Sequence, residues 1–258
     1  MKQKPFFSVI YQDENIVVLN KASGINVGAD RYDPSIERLD KLAQKELNIP
    51  RLFTVHRIDK DTSGLVVYAK NENTHKELSL AFENRQINKR YIAAVHGRPS
   101  WQETVCDLKL VPNGNKQHHT IVDRFRGKPS VTMFKLLGSA GHFSIIEARP
   151  ETGRTHQIRV HLSALGHPVI CDELYGKSKP VMLSYIKKGW RGDLKEEKPI
   201  LSRLGLHAES IFIPFYKPVE SSEPGLKLNA PLSKDMAALI IQMEKAAKAE
   251  AGSFLGMQ

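Results

Sequence analysis

The chain is 258 residues long with 41% hydrophobic and 26% charged residues, enough apolar material for a substantial core in one large domain or two small ones. Its 38 Lys and Arg outweigh 28 Asp and Glu, and the formal net charge of +10 favours polyanionic partners, nucleic acid first among them. Cys106 and Cys171 are the only cysteines and form no CxxC pair or Cys/His cluster, which excludes a disulfide framework and a structural zinc site and suits a reducing cytoplasm.

The N-terminal stretch MKQKPFFSVIYQDENIVVLNK lacks the uninterrupted apolar run of a signal peptide. No later segment approaches the roughly 20 apolar residues of a membrane-spanning helix, so neither export nor membrane insertion is expected. Val9–Tyr11 and Ile16–Leu19 are short β-branched runs around the turn-like Gln12-Asp13-Glu14-Asn15, which predicts an opening hairpin. From Ser35 to Leu47, Ile36, Leu39, Leu42, Ala43 and Leu47 recur at helical spacing before Pro50, predicting an amphipathic helix. Leu65–Ala69, Asn73–Glu83 and Tyr91–Val95 read as strand, helix and strand.

Strand-like runs follow at Ser130–Leu137, Phe143–Ala148 and Ile211–Phe215, with connections such as Gly138-Ser139-Ala140-Gly141-His142. Together they predict an α+β class with many antiparallel pairings. Lys177–Arg203 is rich in Lys and Arg, holds Pro180 and Pro199 and has weak periodicity, which reads as an insertion between core elements or simply a solvated loop. Met236–Ala249 carries a helical register and predicts a terminal helix with a frayed end.

Two segments carry chemistry. In Thr54-Val55-His56-Arg57-Ile58-Asp59-Lys60-Asp61-Thr62-Ser63-Gly64-Leu65, one carboxylate follows a His-Arg pair and precedes a small-residue turn into a strand. Taken alone, an aspartate beside an arginine is more often a cap or ion-pair partner than a catalytic acid. In Arg149-Pro150-Glu151-Thr152-Gly153-Arg154-Thr155-His156-Gln157-Ile158-Arg159-Val160-His161, polar and apolar residues alternate from Gln157 onward. That alternation predicts a strand with Gln157, Arg159 and His161 on one face. His156 and His161 lie five apart, which fits neither a helical nor a strand metal pair. Phosphate loops, dinucleotide-binding glycine motifs and the serine-hydrolase elbow are missing.

HRIDKDTSGLVVYAK at residues 56–70 and RPETGRTHQIRVHLSALGHPVICDELYG at residues 149–176 resemble the two signature blocks of RluA-type RNA pseudouridine synthases. YQDENIVVLNKASG at residues 11–24, KRYIAAVHG at residues 89–97 and RLGLHAESI at residues 203–211 resemble further blocks of that family, in its order. The resemblance runs from about Val9 to Ala230.

It implies the pseudouridine synthase fold, a large mixed, mostly antiparallel, bifurcated sheet with helices and loops around a central cleft. One catalytic domain is expected over residues 1–258, with a core at about 9–230, a helix at about 233–250 and no S4-type domain before it. The family's essential aspartate maps onto Asp59, which either attacks the target nucleoside or removes a sugar proton. Its arginine maps onto Arg159, expected to pair with Asp59 and keep that acid charged. Its tyrosine maps onto Tyr91, expected to stack on the uracil and serve in proton transfer; a buried strand tyrosine is the plain alternative.

The uridine has to leave the helical stack, and Arg57 is expected to take its place. His56, Arg154, His156 and Leu206 are the remaining substrate-binding positions, with basic side chains of Lys177–Arg203 expected on backbone phosphates. The chemistry requires no metal or cofactor. The implied partner is structured ribosomal or transfer RNA, acted on by a cytoplasmic monomer without an obligatory protein partner. A non-catalytic RNA-binding or RNA-folding protein on the same scaffold is the rival, disfavoured by the presence of Asp59, Tyr91 and Arg159 together. Ile58 stands where the family commonly has Leu, and Ala22 where it commonly has Pro; neither change touches the chemistry.

Overall fold

The computed structural model describes residues 5–29, 35–117, 119–217 and 224–256. In chain order its strands and helices begin with β1 (Phe7–Gln12), β2 (Ile16–Lys21), α1 (Leu39–Glu46), β3 (Phe53–Thr54), β4 (Ser63–Ala69), α2 (Glu72–Glu83) and β5 (Asn88–His96). They continue with β6 (Glu103–Cys106), β7 (Leu110–Val111), β8 (Ile121–Val122), β9 (Thr132–Ala140), β10 (Phe143–Pro150), α3 (Gln157–Ala164), β11 (Leu206–Ile213), β12 (Leu226–Asn229) and α4 (Lys234–Ala247). The chain divides into two units, residues 1–90 with 207–231 and residues 91–206 with 232–258.

In the first unit the strand order is β1-β2-β4-β11, with β3 on β4 and β12 on β11. All of these pairs are antiparallel except β4 with β11, which is parallel. The opening hairpin forms because the Asp13 carboxylate accepts the N–H groups of Asn15 and Ile16, both at 2.8 Å, and so closes the turn. Every residue of β4 is buried, which is why Leu65–Ala69 reads as an unbroken apolar run. Ile16, Val18, Leu65, Val67, Leu78, Ile211 and Ile213 form the core. Asn71 caps α2 by accepting the Thr74 N–H at 2.9 Å. The helix predicted over 35–47 is shorter at its start: Arg38 is extended and bridges to Asn26, so only Leu39–Glu46 is helical.

In the second unit β5-β10-β9-β6 run antiparallel, beside a separate β7–β8 ribbon. Successive residues of β5 serve opposite faces. Ile92 and Ala94 pack with Met236, Leu239, Ile240 and Met243 of α4, while Ala93 and Val95 pack with Ile158 and Leu162 of α3. Both cores of the unit therefore come from one alternating strand.

Four expectations are corrected here. The segment from Gln157 is helix rather than strand: α3 buries Gln157 through Leu162 without a break. A helix buried all round has no one-sided apolar period, and its chance alternation mimicked a strand. The Gly138–His142 connection is mostly strand, leaving Gly141 and His142 for the turn. Gly138 stays in β9 because a Cβ there would sit 2.2 Å from the Phe254 ring. That ring belongs to the end expected to fray, which instead docks: Phe254 is buried, and the Glu244 carboxylate accepts the N–H groups of Phe254 and Gly252 at 3.0 and 3.1 Å. The 177–203 insertion is also more than a solvated loop. Val181 pairs with Leu201, both are fully buried with Ile186, and Glu197 accepts the Ser184 N–H and hydroxyl at 2.8 Å.

Candidate active site

The Asp59 loop lies between β3 and β4, and its residues divide by burial. Ile58 points into the core, Asp59 is half-buried and Arg57 is exposed. Asp59 begins a tight turn in which its carbonyl accepts the Thr62 N–H at 3.1 Å. The next carbonyl, that of Lys60, accepts both the Gly24 N–H at 2.9 Å and the Lys21 ammonium at 2.7 Å. Lys21 is 1% exposed, and its Nζ also donates to the carbonyls of Ala22 and Ile25, both at 2.9 Å. A cation on buried carbonyls is a demanding arrangement that persists because the donors are matched. Its effect is to tie the end of β2 to the backbone beside Asp59. Ala22, the departure from the family's proline, donates its N–H to the Phe6 carbonyl at 2.7 Å, a bond that proline has no hydrogen to make.

His56 holds the other end of the loop. The outer edge of β4 pairs with β11 at Ser63 and Gly64 and with β3 at Tyr68 and Ala69. Between them the Val67 N–H donates to His56 Nε2 at 3.0 Å. The imidazole stacks on Phe82 at 4.4 Å between centroids. Burial, with the Lys89 charge nearby, pushes its pKa down to about 3, so it acts as a neutral acceptor. At the loop's exit, the Ser63 hydroxyl lies 2.9 Å from Nδ1 of the fully buried His207, whose Nε2 faces the Ala230 carbonyl at 3.4 Å. Gly64 has φ +110°, and a Cβ would fall 2.2 Å from the Ala208 carbonyl oxygen; only glycine lets the parallel strands approach here.

The second unit carries the other candidates. Tyr91 is half-buried on β5 opposite Ala148 and packs against the α3 side of the sheet. Arg159, on α3, makes a bidentate pair with Asp172, Nε to Oδ2 and Nη2 to Oδ1 at 2.8 Å each. The two residues are 4% and 0% exposed. Burial alone raises the Asp172 pKa. The Arg159 hydrogen bonds and charge, with the N–H groups of Leu174 and Tyr175, outweigh it and hold the carboxyl below its ordinary range. The acid that fixes Arg159 within its own unit is therefore Asp172.

His156 caps α3 in a left-handed conformation with φ 54°, and its Nδ1 shares a 2.8 Å hydrogen bond with the Tyr175 hydroxyl. The Tyr175 ring lies under the Arg159 guanidinium at 5.2 Å. Gln157 braces the preceding turn: its Oε1 accepts the Thr152 hydroxyl and the Arg154 N–H, and its Nε2 donates to the Val131 carbonyl and the Thr132 hydroxyl. Arg154 is half-buried, with Nε donating to the Pro129 carbonyl at 3.3 Å. His161, buried below, is held neutral by desolvation between Thr132 and the Leu108 carbonyl. Leu206 is 3% exposed in the α3-side core.

The first unit thus holds His56, Arg57 and Asp59, and the second Tyr91, Arg154, His156, Arg159 and Leu206. Sequence reasoning missed Lys21, Ser63 with His207, Asp172 and Tyr175, although all of them lie inside the family-like blocks.

Among the described residues no helix is long and apolar enough to cross a membrane. The fold is that of RNA pseudouridylate synthases: the solved human RNA pseudouridylate synthase domain containing 4 superposes with a TM-score of 0.67 at 23% identity over 92% of each chain. A family profile described as RNA pseudouridylate synthase matches residues 15–164, which include Asp59, Tyr91 and Arg159. The ribosomal large subunit pseudouridine synthase D of Zymomonas mobilis is 42% identical over 178 residues, 66% of this chain and 56% of that protein. The dual-specificity RNA pseudouridine synthase RluA of Salmonella typhi is 34% identical over 215 residues, 82% of this chain and 88% of that protein. The chain belongs to the RNA pseudouridine synthase family, in its RluA-type branch, the isomerases that act on uridine in RNA.

Proposed function

We propose that the chain converts a specific uridine of structured ribosomal or transfer RNA into pseudouridine, with Asp59 as the catalytic aspartate and both units serving one catalytic domain. The observation that carries this reading is the fastening of the Asp59 loop: Lys21 and Gly24 on the Lys60 carbonyl, His56 on Val67 and His207 on Ser63. A carboxylate held this way at half-burial is preorganised.

In the reaction the bond from uracil N1 to C1′ of the ribose breaks, the ring turns within the pocket, and C5 bonds to C1′. C5 then loses its proton and N1 gains one, so nothing is oxidised and no group leaves. Asp59 serves either role: its carboxylate attacks C1′ and leaves again as C5 bonds there, or it takes a sugar proton and returns it once C5 has bonded to C1′. Arg159, oriented by Asp172, supplies fixed positive charge, and Tyr91 stacks on the displaced uracil and takes part in the C5 proton transfer. Arg57 fills the space left by the flipped base. Arg154, His156 and basic side chains of 177–203 meet the RNA backbone. His56 and Leu206 complete the set of substrate-binding positions. The protein acts as a cytoplasmic monomer.

The test uses RNA tritiated at uracil C5, prepared from cells lacking the gene. The native chain should release tritium, and Asp59→Ala should release none while still binding that RNA. Absence of release by the native chain refutes catalysis and leaves the non-catalytic RNA-binding reading.

A further inference from the structure

Phe125 is 97% exposed, while every other phenylalanine of the chain is buried or half-buried. It stands in the turn that follows β8 and doubles back to Leu110 of β7, in the run Asp123-Arg124-Phe125-Arg126-Gly127-Lys128. The turn is built to hold it there. Asp123 Oδ1 accepts the N–H groups of Phe125 and Arg126 at 2.9 Å, and Oδ2 accepts Arg126 Nε at 2.7 Å. The Gly127 N–H closes on the Asp123 carbonyl at 3.0 Å, and a Cβ on Gly127 would sit 2.3 Å from that oxygen. Lys128 and Leu110 exchange both backbone hydrogen bonds, at 2.9 and 3.0 Å. The ring is therefore displayed on a braced turn.

Its surroundings are cationic. Arg124, Lys128, Lys109 and Lys116 are exposed on the same ribbon. Its acids are Asp107 and Asp123, and the second is taken up by the turn and Arg126. The ribbon is also joined to the candidate site of its own unit: the Thr120 N–H donates to the Tyr175 hydroxyl at 2.9 Å, and that hydroxyl bonds His156 while its ring underlies Arg159. An exposed aromatic ring among exposed cations is the composition that binds unstacked bases and their phosphates.

We propose that the β7–β8 ribbon is a second RNA-contact site, in which Phe125 stacks on an unpaired base and Arg124, Lys128 and Lys109 hold the adjoining phosphates. It deepens the proposed function and rests on RNA being the polymer bound.

The experiment measures binding of fluorescein-labelled single-stranded oligoadenylate and of unfractionated transfer RNA to the full chain and to Phe125→Ala, Phe125→Trp and Arg124→Ala/Lys128→Ala. Because the ring is solvent-exposed, its replacement leaves folding intact, which thermal unfolding checks. Phe125→Ala should weaken oligoadenylate binding about 5- to 150-fold, the loss of one stacked base, and Phe125→Trp should restore it. Arg124→Ala/Lys128→Ala should flatten the dependence of affinity on salt. Phe125→Ala binding both RNAs within about twofold of the native chain overturns the proposal. So does a change confined to self-association, which would make Phe125 a protein contact. A native chain that releases no tritium but whose RNA binding depends on Phe125 sinks the catalytic reading and leaves the ribbon site standing. Tritium release with Phe125-independent binding does the reverse.

Discussion

Asp172→Ala removes the acid that holds Arg159 and leaves a guanidinium buried to 4% exposure without its bidentate partner. The N–H groups of Leu174 and Tyr175 lose their acceptor in the same stroke. Breaking one side of a buried ion pair costs about 3–5 kcal/mol, which at an ordinary urea sensitivity lowers the midpoint by roughly 2 M. The chain's two tryptophans, Trp101 and Trp190, both lie in the unit that contains the pair, so tryptophan fluorescence reads the unfolding of that unit directly. Replacing both partners, Arg159→Met with Asp172→Leu, removes the charges together, and stability should return to within about 1 kcal/mol of the native chain or exceed it. Tritium release should be lost in the double variant all the same, because the cation is gone. A double variant that still releases tritium, or an Asp172→Ala chain as stable as the native one, refutes the assignment of Arg159 and the reasoning about its partner.

His56 gives the fold an acid-sensitive joint. Its folded pKa of about 3 lies below the ordinary 6.5, so the unfolded chain takes up the proton first as pH falls. Stability is complete above pH 6.5 and drops as pH declines towards 3. By pH 5 the loss is about 1–2 kcal/mol, allowing for the solvent that reaches a half-buried residue. Urea midpoints followed by circular dichroism should show the gap between the native chain and His56→Gln narrowing from pH 8 to pH 5; a gap independent of pH contradicts the hydrogen bond to Val67. Gly64→Ala forces a side chain into the Ala208 carbonyl at positive φ and should cost about 3 kcal/mol or more, a fall of about 6–12 °C in Tm. An unchanged Tm would mean that the strands part easily.

Much of the fold was legible because its signals are local. The turn at Asp13, the apolar run of β4 and the helical spacing of α2 each express one element's own burial. Asp59 was legible through the whole block around it, since an aspartate between a His-Arg pair and a Thr-Ser-Gly turn is uninformative until its neighbours match a pattern. What stayed hidden depends on distant partners. Lys21 reads as the polar end of a hairpin, and its role exists only because the Lys60 carbonyl returns to meet it. Asp172 reads as a loop acid until α3 places Arg159 beside it. The α3 segment misled because the side chains that surround it come from elsewhere in the chain. Val181, Ile186 and Leu201 were masked by the lysines around them.

The pairing of Ser63 with His207 spans 144 residues, and the clamp of Gly64 against Ala208 sits beside it. During synthesis the strand that seats the exit of the Asp59 loop therefore follows it only after the whole stretch from 91 to 206 has been made. A nascent or truncated chain ending before His207 carries the acid but not its seat. The order of translation thus places the making of the Asp59 loop well before its fastening.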